Sequence, residues 1–264
     1  MSTEDALQGP RRRLARAVCA PRLGAGGALL LALGALVAAG CGEVKGADNA
    51  NLIAGKKAFV AKCGSCHTLA HAETKGVVGP NLDEAFRASI EEGLQRSTIR
   101  GVVEEQIKIP NPEGAMPKNL VKGATAKDIA AYVEKVAAAP GKDSGLLATA
   151  VAPPGSGKPA EEKNGKLTIP ANPTGQLAYA TNKATATPGS VTIEMPNMSG
   201  VTHNLALEAG SHESSGPGPV VGHTAIITKG TASVTVTLKP GTYTFFCEVP
   251  GHRAAGMFGH LTVK

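Results

Sequence analysis

Cys247-Glu-Val-Pro-Gly-His252-Arg-Ala-Ala-Gly-Met257 carries a thiol, an imidazole and a thioether, with four residues between successive candidates. One thiolate, two imidazoles and a weak axial thioether make up a trigonal mononuclear copper site. The stretch supplies all of that set except one histidine. His203, in Val-Thr-His-Asn-Leu-Ala-Leu, is the best candidate for it. Soft sulfur donors favour copper over magnesium or calcium, and a low ligand number suits a change of charge rather than hydrolysis. A second signature lies upstream, Cys63-Gly-Ser-Cys66-His67. C-x-x-C-H attaches haem: two thiols add to the vinyl groups, and the adjacent histidine is placed to ligate iron. The chain lacks a second C-x-x-C, and the immediate histidine argues against a thioredoxin-like pair or half a zinc site.

The 264 residues suffice for two domains. Aromatics are scarce and tryptophan is absent, so the cores must be built from Ala, Val, Leu and Ile. The formal charge is +6, but five arginines lie within residues 1–40 against Glu4 and Asp5. The remainder is mildly basic without a dense run. Nucleic-acid binding, which needs clustered positive charge, is not expected.

Arg11 to Arg13 and Arg16 precede an apolar run from Leu23 to Ala39, then Gly40 and Cys41. A basic start, an apolar run and small residues describe an export signal. Ala39-Gly40-Cys41 resembles the lipobox of bacterial lipoproteins, with Ala38 where that family usually has Leu. The resemblance implies cleavage before Cys41 and lipidation of its sulfur. An uncut anchor and ordinary cleavage are the other two readings. All three place residues 42–264 outside the cytoplasmic membrane, on a periplasmic or cell-surface face. Cys19 leaves with the signal if it is cut, and no disulfide is expected. The expected organisation is a signal over 1–40, a tether over 41–50, a helical domain over 51–139, a linker over 140–165 and a β domain over 166–264.

In the first domain, Gly55-Lys-Lys-Ala-Phe-Val-Ala-Lys-Cys63 and Gly79-Pro80-Asn81-Leu82 resemble class I cytochromes c over about residues 51–138. The resemblance implies an all-α domain carrying one covalent haem c through Cys63 and Cys66. It also implies His67 and Met116 as axial ligands and the Pro80 carbonyl accepting from His67. Helices are expected over 51–62, 89–103 and 125–138, the last capped by Thr125. In the family the last helix crosses the first near Gly55 and Phe59, so Ile129 and Tyr132 should pack there. His71, four residues beyond His67, is expected at the surface.

Residues 140–165 are rich in Gly, Pro, Ser and charge, and read as a flexible coil. Such a coil would span roughly 25–30 Å on average. Leu146-Leu147 could form a short helical stub. Beyond Gly165, β-type runs separated by turns predict a sandwich. Strands are expected at 167–169, 176–180, 190–195, 202–208, 231–238, 242–247 and 258–263. With His203-Asn204 and the Cys-x4-His-x4-Met loop, residues 166–264 resemble cupredoxins of the plastocyanin, halocyanin and rusticyanin type. The resemblance implies one type 1 copper held by His203, Cys247, His252 and Met257, with Asn204 bracing the loop and His252 at the electron port. His212 and His223 flank a Ser-Gly-Pro-Gly-Pro loop and are expected to be exposed. His260 is too near Met257 to replace an upstream ligand.

The expectation is therefore a multidomain chain, an all-α class I cytochrome c domain followed by an all-β cupredoxin sandwich. It would be a lipid-anchored electron carrier with redox-protein donor and acceptor and no small-molecule substrate. It would not be an enzyme, because no base or nucleophile stands beside either site. A copper nitrite reductase would need a histidine-only second copper site and usually a second cupredoxin domain. An oxidase subunit with a binuclear copper site would need a second loop cysteine. A copper-storage protein would tolerate a weaker, more exposed site.

Overall fold

A computed structural model describes residues 46–213 and 218–264. The signal, Cys19 and Cys41 lie outside the described residues. Among those described, no helix is long and apolar enough to cross a membrane.

Asn51 starts the first helix, α1 (Leu52–Lys62), because its side chain accepts from the Ala54 N–H at 3.0 Å. The Asn51 N–H in turn donates to Asp128 Oδ1 at 2.8 Å, which ties α1 to the last long helix, α4 (Gly123–Val136). The two cross at Gly55, where a Cβ would run into the Asp128 carbonyl. Phe59, Ile129 and Tyr132 fill the crossing and are almost wholly buried. Each contributes on the order of 1.5–3 kcal/mol by leaving water.

The expected helix over 89–103 is two helices, α2 (Leu82–Glu91) and α3 (Arg96–Lys108). Gly93 breaks the run by adopting φ +90°. Asn81 caps α2, its side chain accepting from the Asp83 N–H. The last helix begins two residues before Thr125, with Lys122 rather than Thr125 at the cap. Arg96 closes its other end, donating to the Glu134, Lys135 and Ala137 carbonyls at 2.6–3.2 Å. That satisfies carbonyls a helix end leaves unpaired. Between α1 and α2 lie two short antiparallel strands, β1 (Thr68–Leu69) and β2 (Thr74–Lys75).

His71 is buried, not at the surface. Its Nδ1 lies 2.9 Å from Asp143 Oδ1 and its Nε2 lies 3.2 Å from the Ala139 carbonyl. Asp143 also takes Lys56 Nζ at 2.9 Å and the Tyr132 hydroxyl at 2.8 Å. Lys56 Nζ donates further to the Leu147 carbonyl at 2.9 Å. This cluster overturns the flexible-coil expectation for 140–165. The segment carries α5 (Gly145–Ala148), with Leu147 buried in the helical core, and β3 (Ala160–Glu161), which pairs with the β domain. Composition averaged over the segment hid the two residues that anchor it. Leu147 fills an apolar site, and Asp143 pairs with the buried Lys56 and hydrogen-bonds to His71 and Tyr132.

The β domain is a two-sheet sandwich. The larger sheet runs β3, β5 (Lys183–Ala186), β11 (Phe258–Val263), β10 (Gly241–Phe246), β7 (Ala206–Ala209), β8 (Val220–His223). The smaller runs β4 (Lys166–Thr168), β6 (Gly189–Asn197), β9 (Gly230–Leu238). Along β6 the odd-numbered positions from Val191 to Asn197 are buried and the even-numbered ones are not, as one buried face requires. Leu167, Ile193, Leu205, Leu207, Phe245 and Leu261 meet between the sheets. The strand expected at 176–180 is only an isolated bridge, Tyr179 to Ala171, while β5 was not anticipated. His223 is exposed as expected but lies on a strand.

Candidate metal centres

The first centre forms where α1 ends. The Cys63 N–H closes the helix on the Phe59 carbonyl at 2.8 Å, and the Cys66 and His67 N–H groups return to the Cys63 carbonyl. Both sulfurs and the imidazole therefore leave one turn. Residues 76–80 fold back over it. The Gly79 N–H donates to the Cys66 carbonyl at 2.8 Å, and a Cβ on Gly79 would strike the His67 ring. The Pro80 carbonyl lies 2.9 Å from His67 Nδ1. A carbonyl only accepts, so Nδ1 carries the proton and Nε2 keeps its lone pair for a metal.

These residues line a cavity of about 480 Å³, together with Phe59, Phe86, Ile107 and Met116. Met116 sits in the irregular stretch after α3, where Asn111 turns the chain by accepting from the Glu113 and Gly114 N–H groups. Burial pushes the Cys63 thiol up to about 12, with Cys66 adding to the rise. Disulfide exchange needs the opposite, a thiolate near neutral pH. An apolar cavity lined by two thiols, one imidazole and one thioether fits haem c.

The second centre joins three parts of the sandwich. Cys247 follows β10 directly, and its N–H donates to the Met257 carbonyl at 3.1 Å. The loop closes on itself when the Met257 N–H donates to the His252 carbonyl at 2.9 Å. His203 is locked by a two-bond exchange with Ile227, at 2.9 and 2.8 Å. The three donor atoms converge. His203 Nδ1 lies 3.2 Å from His252 Nδ1, and Cys247 Sγ lies 4.0 and 3.5 Å from the two nitrogens. A circle through atoms at those spacings has a radius of about 2.1 Å, which is a metal–ligand bond length. Among the described residues this is the one group of three or more such donors. Met257 is fully buried beside them, in the same core as Cys247.

The protonation chemistry agrees. Burial, then the neighbouring His252, pushes His203 down to about 4, and burial lowers His252 as well. Both rings are neutral near pH 7, so each keeps a lone pair. Burial raises Cys247, opposed by backbone N–H groups of Asn204 and Val249 on its sulfur. The two facing ring nitrogens and the sulfur lie at distances that a single cation between them would bridge. With Nδ1 turned to that point, the ring proton of His203 sits on Nε2, which is buried without a partner. Copper fits the donor set.

Asn204 laces the site. Its Nδ2 donates to Glu248 Oε2 at 2.6 Å, and its Oδ1 accepts from the Glu248 N–H at 2.9 Å. The Tyr179 hydroxyl donates to its carbonyl at 2.7 Å. Sequence reasoning missed a second clamp. Arg253 forms a two-pronged pair with Glu208, fully buried on β7, at 2.6 and 3.2 Å. Its guanidinium lies 4.2 Å from the Phe246 ring centroid. An Arg directly after a ligand histidine was the available signal, but nothing local marked Glu208 as its partner. His212 and His260 join neither centre, bonding to the Ala209 carbonyl and Ser211 instead.

The family model for copper binding proteins of the plastocyanin/azurin family matches residues 168–264, and the cytochrome c model matches residues 52–137. No curated protein matches the chain. Among solved structures, auracyanin B is 30% identical, covering 42% of this chain and 96% of its own, with a TM-score of 0.33. Reduced auracyanin from Roseiflexus castenholzii is 25% identical over 39% of this chain and 99% of its own, TM-score 0.33. Rusticyanin from Thiobacillus ferrooxidans is 22% identical over 41% and 84%, TM-score 0.32.

Proposed function

Because the chain joins a cytochrome c domain to a cupredoxin domain of the plastocyanin/azurin family, we propose that it is an exported, membrane-tethered carrier of single electrons, exchanging them with protein donors and acceptors. The observation that carries this is the coordination chemistry: each centre brings together donors of the types its metal needs, buried at the copper centre and half-buried at the haem centre. His67 and Met116 both line the haem cavity. Cys247, His203 and His252 surround one point, and Met257 is buried in the same core as Cys247. Haem c and copper supply the one-electron couples. The chain does the rest. Pro80 holds the proton of His67 on Nδ1, the Asn204 and Val249 N–H groups stabilise charge on the Cys247 sulfur, and the sandwich fixes His203 by its bridge to Ile227 and the Cys247 loop between β10 and β11. Closed shells leave no position for a substrate, and that supports a carrier over a reductase. The tether and outward location rest on the basic, apolar and Ala-Gly-Cys41 order of the N-terminus.

A visible spectrum of the metallated chain tests the core of this reading. Oxidised protein should show a thiolate-to-copper band that Cys247→Ser abolishes, and reduced protein sharp haem bands that Cys247→Ser leaves intact. Haem that binds cyanide freely, or a chain that takes no copper, would sink it. For the tether, Cys41→Ser should move the protein from the membrane fraction to the soluble one.

A further inference from the structure

The segment between the two domains leaves almost no slack. On one side Asp143 and Leu147 are anchored in the helical domain, and Val151 still packs on its core. On the other, the Asn182 N–H donates to the Gly155 carbonyl at 3.0 Å, and the Gly157 N–H donates to Ala180 at 2.9 Å. Between them the Ala152 carbonyl accepts from Gln176 Nε2 at 3.2 Å. The β domain is thus held against the helical one.

Two glycines make the closest approaches, both in the left-handed region where a side chain would be strained. Gly175, at φ +84°, presses on α1 so closely that a Cβ would lie 2.7 Å from the Ala61 carbonyl, two residues before Cys63. Gly251, at φ +82°, would place a Cβ 3.3 Å from Val77 Cγ2. Gly251 immediately precedes His252, and Val77 immediately precedes Val78, which lines the haem cavity. Residues 68–75 and 255–260 face each other across an open cleft beside these contacts, about 740 Å³ in volume.

We infer that the Val77–Gly251 contact, which stays open to solvent with Val77 72% exposed, is part of a built-in docking interface that presents the His252 edge of the copper loop to the Val78 wall of the haem cavity in the same molecule. This rests on the electron-carrier reading and adds the partner: each domain is the other's first redox partner. The path from His252 to Val78 is covalent except at that one contact. Transfer across it moves one electron, makes and breaks no bond and displaces no proton. A short, anchored segment holds the rims together in a way a slack tether would only favour statistically.

Two variants of the full chain test this: Val77→Asp, which puts a charge into the contact, and a four-residue Gly-Ser insertion between Pro153 and Pro154. Amide hydrogen exchange reads docking without any metal. Peptides covering 76–79 and 249–252 should exchange at least tenfold more slowly in the parent than in the insertion variant. After photochemical reduction of the haem, equilibration with copper should be first-order and independent of protein concentration. It should slow at least tenfold in both variants while both visible spectra stay unchanged. Equal exchange in parent and insertion variant, a concentration-dependent rate in the parent, or an unaltered rate in either variant overturns the inference. Missing metal bands in the parent would instead defeat the carrier reading, with exchange still reporting on docking.

Discussion

Replacing Arg253 with Met should unfold the copper domain far more readily than a surface change could. Glu208 is fully buried, and its carboxylate is held by the Arg253 guanidinium at 2.6 and 3.2 Å and by the Gly218 N–H at 3.1 Å. The Arg253 side chain is itself only 15% exposed. Methionine keeps most of the length and the contact with Phe246 but strands a carboxylate away from water. Breaking a desolvated pair from one side costs about 3–5 kcal/mol, whereas exchanging both partners for apolar groups is close to neutral. For a domain of this size each kcal/mol moves the melting temperature by roughly 4–8 °C. Arg253→Met should therefore lower the copper-domain transition by at least about 12 °C. The double variant Glu208→Leu with Arg253→Met should recover most of that. Circular dichroism melts of the apo chain measure both, with the helical transition as an internal control. A drop below about 4 °C for the single variant, or no recovery in the double, refutes the claim that the pair is desolvated and mutually dependent.

Three further outcomes are expected. Asp143 feels burial, which raises its pKa, but hydrogen bonds from Lys56, Tyr132 and His71 outweigh it and hold the carboxyl below the usual range. Its folded value is depressed, so its stabilisation is present above about pH 4 and fades as pH falls through the folded value. Proteolysis of segment 141–151 should accelerate in that acid window, and in Asp143→Asn it should be fast already at pH 7; resistance of that variant at neutral pH would count against the anchor. His203 is depressed to about 4, so in the apo protein the unfolded chain takes up a proton first as pH falls. Apo stability should then drop between about pH 6.5 and 4, by on the order of 3 kcal/mol. Urea melts against pH measure this, and His203→Phe should remove that component. Met116→Ala should open one face of the haem, lower its potential and let it bind cyanide. A variant that stays closed to cyanide would mean Met116 is not the ligand.

Local chemistry was legible wherever a motif carries its own geometry. Cys63, Cys66 and His67 share one turn, and Cys247, His252 and Met257 share one loop, so spacing alone nearly brings the donors together. The closing strand, Phe258–Val263, alternates strongly enough to be read to the residue. Gly93 was a visible weakness in the helix expected over 89–103, and the chain breaks there.

Pairings across long stretches of chain were not legible. Nothing near Asp143 says that it will meet Lys56 and His71, 87 and 72 positions away. Nothing near Glu208 points to Arg253, and nothing near Val77 points to Gly251. The segment between the domains looked slack because its average composition is polar, yet order there needs only Leu147 in an apolar site and one carboxylate held by Lys56, Tyr132 and His71. Sequence alone determined the donor types each domain offers and the short spacings that group Cys63, Cys66 and His67 on one turn and Cys247, His252 and Met257 on one loop, because donor type and short spacing are covalent properties. Tertiary structure alone decided how the two centres are braced and that their rims meet, because buried charge pairs and backbone contacts exist only after distant segments have left water together.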